Sequence, residues 1–224
     1  MSEWIKLKAS DGHELDAYVA QPEGNPVAGL VVIQEIFGVN SHIRSVADSY
    51  AQDGFLVVAP ALFDRVEKNV DLGYEGEDRQ KAMALYPKLQ IDAALLDVSA
   101  ASEYAREKTG KTGVIGYCFG GTVAWLCSTR LKNISAAVGY YAGGISNFAA
   151  EAPTAPVMLH FGNLDKHIPR EGIDGLQAAH PEVEIFWYDA DHGFNCDQRS
   201  SYQPEASRRA RERSLAFLKS TLAG

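Results

Sequence analysis

The chain has 224 residues and a formal net charge of −8 at pH 7, and its length suits one α/β domain over residues 1–224. The acidic balance argues against nucleic acid as a partner, because phosphate backbones bind basic faces. No apolar run approaches the ~20 residues of a membrane span, and the N-terminus lacks the basic-then-apolar order of a signal peptide. We therefore expect a cytoplasmic protein with no membrane partner.

The predicted elements alternate between apolar strands and segments with helical spacing. Two N-terminal strands, at 4–8 and 14–19, are joined by a turn, and we expect them to form an antiparallel edge. Six further strands are predicted at 29–33, 55–59, 112–116, 136–140, 157–161 and 183–188. Helical segments are predicted at 41–52, 78–108 with a break near Pro87, 120–131, 172–179 and 204–222. This alternation is typical of an α/β fold with a mostly parallel central sheet and helices on both faces.

One turn in this series has the pattern of a nucleophile elbow. The segment Gly116-Tyr117-Cys118-Phe119-Gly120-Gly121 follows an apolar strand and opens a helix. Glycines two positions before and two after Cys118 permit a tight turn where a Cβ would clash. In the usual G-x-S-x-G form this turn presents a serine nucleophile at the end of a sheet. Here the nucleophile is predicted to be the thiol of Cys118.

An acid and a base follow Cys118 at the ends of later strands. Asp165 comes after the strand at 157–161, and His192 comes after the strand at 183–188. Nucleophile, acid and base in this chain order are typical of α/β-hydrolases. His192 would relay protons, and Asp165 would fix its tautomer. The backbone N–H groups of Phe119 and Ile36 would form the oxyanion hole.

Three other histidines are rival bases. His160 lies inside a predicted strand, His180 precedes a proline, and His167 is too close in sequence to Asp165 to reach across to it. Taken singly, Asp165 is more typical of a loop cap and His192 of an ordinary turn residue. The prediction rests on their joint occurrence with Cys118 at separate strand ends.

The chain has three cysteines, an odd number that does not favour a disulfide framework. Their spacing matches no metal motif, so the sequence predicts no metal site. Cys127 falls within an apolar helical stretch, where a thiol behaves as a small buried hydrophobe.

Four segments resemble the dienelactone hydrolase (carboxymethylenebutenolidase) family: Gln-Glu-Ile-Phe-Gly-Val-Asn at 34–40, Gly-Tyr-Cys-Phe-Gly-Gly at 116–121, Ala-Val-Gly-Tyr-Tyr at 137–141 and His-Gly-Phe at 192–194. The resemblance implies an α/β-hydrolase fold and cofactor-free hydrolysis of a lactone ester bond by Cys118, Asp165 and His192. It also implies that Glu35 holds the resting thiol of Cys118 and moves on substrate binding to take its proton. The alternative for Glu35 is a cap for the helix that begins near Ser41.

The chain departs from this family where its well-studied members bind the carboxylate of the lactone with two arginines. The first aligned position is Lys81, which can pair with a carboxylate but without a bidentate fork. The second is Cys196. Arg79 and Arg199 are near enough in sequence to substitute, although each is more typical of a solvated surface charge.

Pocket residues differ as well, since Leu85 and Lys88 stand where those family members have aromatic side chains. The candidate substrate-binding residues are those that the resemblance or the charge pattern brings near the elbow. They are Phe37, Arg79, Lys81 and Tyr141.

The predicted function is hydrolysis of a small-molecule lactone or ester through a thioester on Cys118, by a monomer or weak homodimer. One alternative is a carboxylesterase with a less anionic substrate, and another is a non-catalytic thiol sensor or binding module. Amide chemistry is a further alternative, because glutamine amidotransferases also have a Gly-x-Cys-x-Gly elbow. Their acid lies two positions after the histidine, where this chain has Phe194.

Overall fold

A computed structural model describes residues 1–222, in which eight strands form one sheet. Their bounds are β1 Ser2–Lys8, β2 Glu14–Ala20, β3 Ala28–Ile33, β4 Phe55–Pro60, β5 Thr112–Tyr117, β6 Ala136–Tyr140, β7 Val157–Gly162 and β8 Glu184–Tyr188. The spatial order is β1-β2-β4-β3-β5-β6-β7-β8. Strands β3 to β8 run parallel, whereas β1 and β2 are antiparallel to their neighbours. The predicted sheet and its antiparallel N-terminal edge are confirmed.

Six α-helices lie within the described residues: α1 Ser41–Gln52, α2 Gly76–Leu85, α3 Ile91–Thr109, α4 Phe119–Arg130, α5 Arg170–Ala179 and α6 Pro204–Leu222. The predicted break near Pro87 is present as a short 3-10 turn at Tyr86–Lys88 between α2 and α3. Two other 3-10 turns, at Leu62–Arg65 and Ile145–Phe148, were not predicted because they are too short to show periodicity. Among the helices of residues 1–222, none has the length and apolar character to cross a bilayer.

Helices cover both faces of the sheet, as the glycines of β5 illustrate. A Cβ on Gly113 would lie 2.9 Å from Leu222 of α6. Gly116, three positions along the strand and therefore on the opposite face, lies against Gly120 of α4. The central strand that ends in the elbow is thus enclosed from both sides. The interpretation of residues 1–224 as a single domain stays a prediction.

A second, smaller apolar cluster lies beside the carboxyl end of β3. It contains Phe37, Phe63, Val70, Leu72, Ala82 and Leu85, with Tyr74 packed against it. Gly38 has φ +83°, and a Cβ there would lie 1.9 Å from the carbonyl oxygen of Val70. This close approach brings the loop before α2 onto the loop after β3, so that side chains from both loops can meet at the strand ends.

Candidate active site

Cys118 lies in a strained backbone conformation between β5 and α4. Its φ of +55° and ψ of −118° are in a region that side chains rarely adopt. The turn is possible because Gly116 and Gly120 lie in contact: a Cβ on Gly116 would be 1.9 Å from the carbonyl oxygen of Gly120. The Cys118 N–H donates to the carbonyl oxygen of Tyr140 at 3.0 Å. This arrangement presents a partly exposed thiol at the N-terminus of α4.

His192 and Asp165 form a close pair at the ends of β8 and β7. The Nδ1 atom of His192 lies 2.7 Å from Oδ2 of Asp165, and both side chains are largely buried. Burial opposes the charged form of His192, but the hydrogen bond to Asp165 and the interaction with Cys118 outweigh it and raise the pKa of His192 to about 10. The imidazole is thus held between the thiol and the carboxylate.

Asp165 is held in its ionised form. Burial alone raises the pKa of this carboxyl, yet the hydrogen bond and charge of His192 and the backbone N–H of His167 lower it below its usual value. That N–H donates to Oδ1 of Asp165 at 2.9 Å, leaving Oδ2 for His192. Asp165 therefore has both oxygens committed, one to orienting its own loop and one to the imidazole.

The two predicted oxyanion-hole residues lie at adjoining segments. Phe119 is the first residue of α4, where N–H groups have no intrahelical acceptor. Ile36 lies in the turn after β3. Gly120 connects the two segments, because a Cβ there would lie 2.4 Å from the carbonyl oxygen of Ile33. Their role in binding an oxyanion stays a prediction.

Glu35 is fully buried, and its carboxylate is held by two side chains. The hydroxyl of Tyr74 donates to Oε2 at 2.8 Å, and Nη1 of Arg199 donates to Oε1 at 3.3 Å. Within residues 1–222, no hydrogen bond joins Glu35 to Cys118. The resting thiol–glutamate contact that the resemblance implies is therefore not the arrangement of this structure. Nor does Glu35 cap α1, since the capping side chain is that of Asn40, which accepts from the Ile43 N–H.

Arg199 lies inside the site, and its assignment as a solvated surface charge is wrong. Its side chain is 23% exposed and pairs with Glu35. The guanidinium lies over the ring of Tyr74, 5.6 Å from the centroid, and packs against the backbone of Gly193. The lack of a Cβ on Gly193 is what admits it. The sequence could not reveal this placement, because the loop that carries Arg199 has no periodic pattern.

The other two basic candidates, Arg79 and Lys81, lie on α2 and are more exposed than Arg199. Lys81 forms an ion pair with Glu67, and both side chains are about half exposed. Arg79 is exposed on the same helix, α2. The structure therefore directs Lys81 to a surface partner and brings Arg199, instead of Lys81, next to Glu35.

The two aromatic candidates are buried. Phe37 packs on Tyr74 with ring centroids 4.5 Å apart. Tyr141 has φ +36° and lies 5.0 Å from the ring of His192. The Tyr141 hydroxyl is buried and has no hydrogen-bond partner among residues 1–222. Phe37 thus lies against Tyr74 and Tyr141 against His192, and a part in binding substrate stays a prediction.

Two tyrosines of the site were missed by the sequence analysis. Tyr74 is one, and burial followed by the nearby Glu35 carboxylate raises its pKa, so that its hydroxyl keeps the proton it donates. Tyr86 is the other: its ring lies 5.6 Å from that of Phe119, and burial together with the charge of Cys118 raises its pKa. Tyr86 supplies an aromatic side chain near the elbow, where Leu85 and Lys88 do not.

The rival histidines have other partners. His160 is fully buried between Tyr188 and Ser214, each 2.9 Å from a ring nitrogen, and burial lowers its pKa to about 3. His180 lies 2.8 Å from the carbonyl oxygen of Ala149. The backbone of His167 binds Asp165, as described above. Of the four, His192 is the one whose ring is paired with Asp165.

Cavity size does not identify this site. A cavity of about 720 Å³ lies beside β1 and is lined by Trp4, Lys6, Asp16, Arg44 and Asp71 among others. Its cations are already paired, Lys6 with Asp16 and Arg44 with Asp71, each at 2.8 Å. The geometry around Cys118 is the better guide, because it combines backbone strain, a paired imidazole and free helix N–H groups.

The sheet order and the strained elbow residue define the class of protein as an α/β-hydrolase. The family model described as "Dienelactone hydrolase family" matches residues 15–222. Carboxymethylenebutenolidases of Pseudomonas putida and Pseudomonas knackmussii are each 33% identical over 228 residues, covering 97% of this chain and 96% of theirs. The chain belongs to the dienelactone hydrolase family and is a hydrolase acting on ester or lactone bonds.

Structural comparison gives the same fold at lower sequence identity. A dienelactone hydrolase-like promiscuous phosphotriesterase from metagenomic libraries superposes with a TM-score of 0.78 at 18% identity, covering 98% of each chain.

Proposed function

We propose that this protein hydrolyses a small-molecule lactone or ester through a thioester on Cys118. The observation that carries the proposal is the 2.7 Å pairing of His192 with Asp165, next to a strained thiol at a helix N-terminus. A thiolate is the nucleophilic form of cysteine, and a neighbouring imidazolium and helix N-terminus both stabilise it. The 33% identical carboxymethylenebutenolidases support the same reaction class.

Acylation would begin with attack of the Cys118 thiolate on the carbonyl carbon. As the C–S bond forms, the carbonyl oxygen becomes an oxyanion, which the N–H groups of Phe119 and Ile36 would stabilise. The intermediate collapses, the C–O bond to the leaving oxygen breaks, and His192 donates a proton to that oxygen. Asp165 supports the charged imidazolium before this transfer. In a lactone the leaving oxygen remains attached to the acyl chain.

In deacylation, water would be the nucleophile and His192 would act first as the base. Neutral His192 accepts a proton as water adds to the thioester carbon, and the same N–H groups bind the second oxyanion. Breaking the C–S bond releases the carboxylic acid and returns the Cys118 thiolate beside a protonated His192. One water is consumed in each turnover, and no cofactor is needed.

Glu35 has a conditional role in this scheme. Its carboxylate is held by Arg199 and Tyr74, so a movement toward Cys118 requires the Arg199 pair to open. A substrate carboxylate that binds Arg199 would compete for that guanidinium and free Glu35. We infer that an anionic substrate couples its own binding to the mobility of Glu35.

Variants of Arg199 and Lys81 would show whether the substrate is anionic or less anionic. Each would be tested against a matched pair of lactones that differ by one carboxylate. If Arg199 holds the carboxylate, Arg199→Gln raises KM for the anionic lactone at least ~10-fold, the scale of one lost charged hydrogen bond, and changes the neutral one much less. Lys81→Ala should leave both unchanged. Equal effects of Arg199→Gln on both lactones would favour the carboxylesterase alternative.

The thioester itself is tested by acid quenching of a single turnover with a slow ester, followed by intact-mass measurement. We expect the acyl mass on the wild-type protein and on Cys127→Ala, whose thiol is buried in α4, but not on Cys118→Ala. Turnover by Cys118→Ala at the wild-type rate would exclude the proposal. Modification of Cys118 by thiol reagents with no turnover of any ester or lactone would favour a thiol sensor.

A further inference from the structure

Cys196, which stands where well-studied family members have an arginine, lies in a second cluster of ligand-type side chains. Its Sγ, a ring nitrogen of His42 and a carboxylate oxygen of Asp197 all lie within 4.8 Å of one another. Nδ1 of His42 is 3.3 Å from Oδ1 of Asp197. His42 belongs to the first turn of α1, whereas the other two follow β8, so the fold, not local sequence, brings them together.

The His42 ring is buried beside Cys196 and Asp197. The residue is 3% exposed, and its Nε2 atom is buried with no hydrogen-bond partner among residues 1–222. The nitrogen that faces Asp197 is Nδ1, so an ion bound there would leave Nε2 to a bridging water. The mechanism proposed for Cys118 does not use His42.

Two features hold the cluster in place and give access to it. Ser41 and Gln198 hydrogen-bond to each other at 2.9 Å, which ties the start of α1 to the loop that carries Cys196 and Asp197. A cavity of about 270 Å³ is lined by both His42 and Asp197. The Asp197 side chain is 67% exposed, so an ion can reach this carboxylate from solvent.

The local charges favour a cation. Asp197 contributes one carboxylate, which faces the His42 ring. Two nearby arginines carry positive charges that disfavour a bound cation. Arg199 is paired with Glu35, and Arg211, which lines the same cavity, is paired with Asp53. Both guanidinium charges are therefore partly neutralised by their own partners.

We propose that His42, Cys196 and Asp197 form a binding site for a thiophilic divalent cation, Zn²⁺ being the ion that suits the set. Thiolate, imidazole and carboxylate are together the ligands of zinc, whereas calcium and magnesium take oxygen ligands. Bond lengths of about 2.0–2.3 Å require ligand atoms to approach one another within roughly 3.3–3.8 Å. The 3.3 Å pair meets this, and Sγ needs a shift of about 1 Å at most. The thiol proton of Cys196 leaves to solvent as the metal–sulfur bond forms.

The test measures metal binding directly, in full-length protein carrying Cys118→Ser so that the elbow thiol cannot bind the ion. Zn²⁺ affinity is measured by competition with a chromophoric chelator, and Co²⁺ is used as a spectroscopic probe. We expect one ion per chain and a sulfur-to-cobalt charge-transfer band. Adding Cys196→Ser should abolish the band, and adding His42→Gln or Asp197→Asn should weaken Zn²⁺ binding at least ~10-fold. Adding Cys127→Ala is the matched control and should change neither.

Folding of the variants is checked by circular dichroism and thermal melting. Asp197 is mostly exposed, so Asp197→Asn provides a folded variant even if a change at His42 or Cys196 disrupts packing. Zn²⁺ should raise the Tm of the Cys118→Ser protein by mass action and raise that of the Asp197→Asn version less. The proposal is overturned if the Cys118→Ser protein binds no ion, or if its affinity is unchanged by Asp197→Asn and Cys196→Ser.

Discussion

The hydroxyl of Tyr74 donates a 2.8 Å hydrogen bond to Oε2 of Glu35, a side chain that solvent does not reach. The other carboxylate oxygen faces Arg199. A buried carboxylate is stable only when its oxygens are paired and hydrogen-bonded. Because Tyr74 and Arg199 come from loops far apart in the sequence, Glu35 also ties both loops to the end of β3. One buried charge thereby organises the loops that border the elbow.

Tyr74→Phe removes that hydrogen bond and keeps the ring. We expect the free energy of unfolding to fall by about 1–3 kcal/mol, since a charged buried acceptor loses a donor. We also expect a lower kcat/KM, because Glu35 loses its fixed position. Urea denaturation and ester turnover measure the two effects. Tyr104→Phe, on the partly exposed face of α3, is the control and should alter neither. An unchanged stability for Tyr74→Phe would contradict the account of Glu35 given above.

Asp165→Asn tests the orientation of His192. The variant retains the shape of the side chain but loses the charge that supports the imidazolium, and the amide can reverse the preferred tautomer. We expect kcat to fall by roughly 10²–10⁴-fold, the contribution typical of a positioned acid–base group. Steady-state kinetics on a single ester measure the loss. A loss below about tenfold would show that Asp165 does not carry the role assigned to it.

The same pair predicts a pH dependence of stability. The folded pKa of His192 is raised to about 10 from an ordinary 6.5, so its stabilisation is complete below pH 6.5 and is lost as pH rises toward 10. The advantage of the wild type over Asp165→Asn should therefore be greatest between about pH 4.5 and 6.5 and shrink above it. Denaturant titrations of both proteins from pH 5 to 10 measure the difference. An advantage that grows with pH would contradict the pairing.

The burial of His160 predicts that the free energy of unfolding decreases as the pH falls, in contrast to the effect of the His192–Asp165 pair. Its folded pKa is lowered to about 3 by burial, so the unfolded chain takes up a proton below pH 6.5 that the folded chain does not. Stability should fall with decreasing pH by up to about 1.4 kcal/mol per unit from this group. His160→Gln should remove that slope while leaving the pH profile of kcat unchanged. His192 does not interfere, because below pH 6.5 it is protonated in both states.

The sheet and the pairing of His192 with Asp165 could be predicted because each depends on local patterns. The elbow at 116–121 is a contiguous motif, and Asp165 and His192 each follow an apolar strand whose carboxyl end must meet the others at one sheet edge. Parallel topology then brings the three candidate residues to one edge of the sheet without any knowledge of the loops. The sequence pattern at residues 4–8 and 14–19 similarly predicted the antiparallel edge that β1 and β2 form.

The surroundings of Glu35 could not be predicted in this way. Tyr74 and Arg199 lie in loops whose paths are set by distant contacts, such as the approach of Gly38 to Val70. The grouping of Cys196 with His42 has the same origin. Loop side chains of this kind carry no periodicity, and the charge of Arg199 alone is equally compatible with solvent. Only the tertiary structure distinguishes a buried partner of Glu35 from a surface arginine.

Gly116→Ala tests whether the elbow depends on close backbone contact. The added methyl would lie 1.9 Å from the carbonyl oxygen of Gly120, which is backbone and cannot rotate away. We expect a loss of about 3 kcal/mol or more in the free energy of unfolding and a larger proportional loss of turnover. The matched control is Gly175→Ala in α5, where no atom lies within 4 Å of the added methyl; it should stabilise the protein by about 0.5–1 kcal/mol through helix propensity. The free energy of unfolding, from chemical denaturation, and kcat are measured for both variants. If Gly116→Ala folds and turns over like Gly175→Ala, the strained geometry of Cys118 does not depend on this contact.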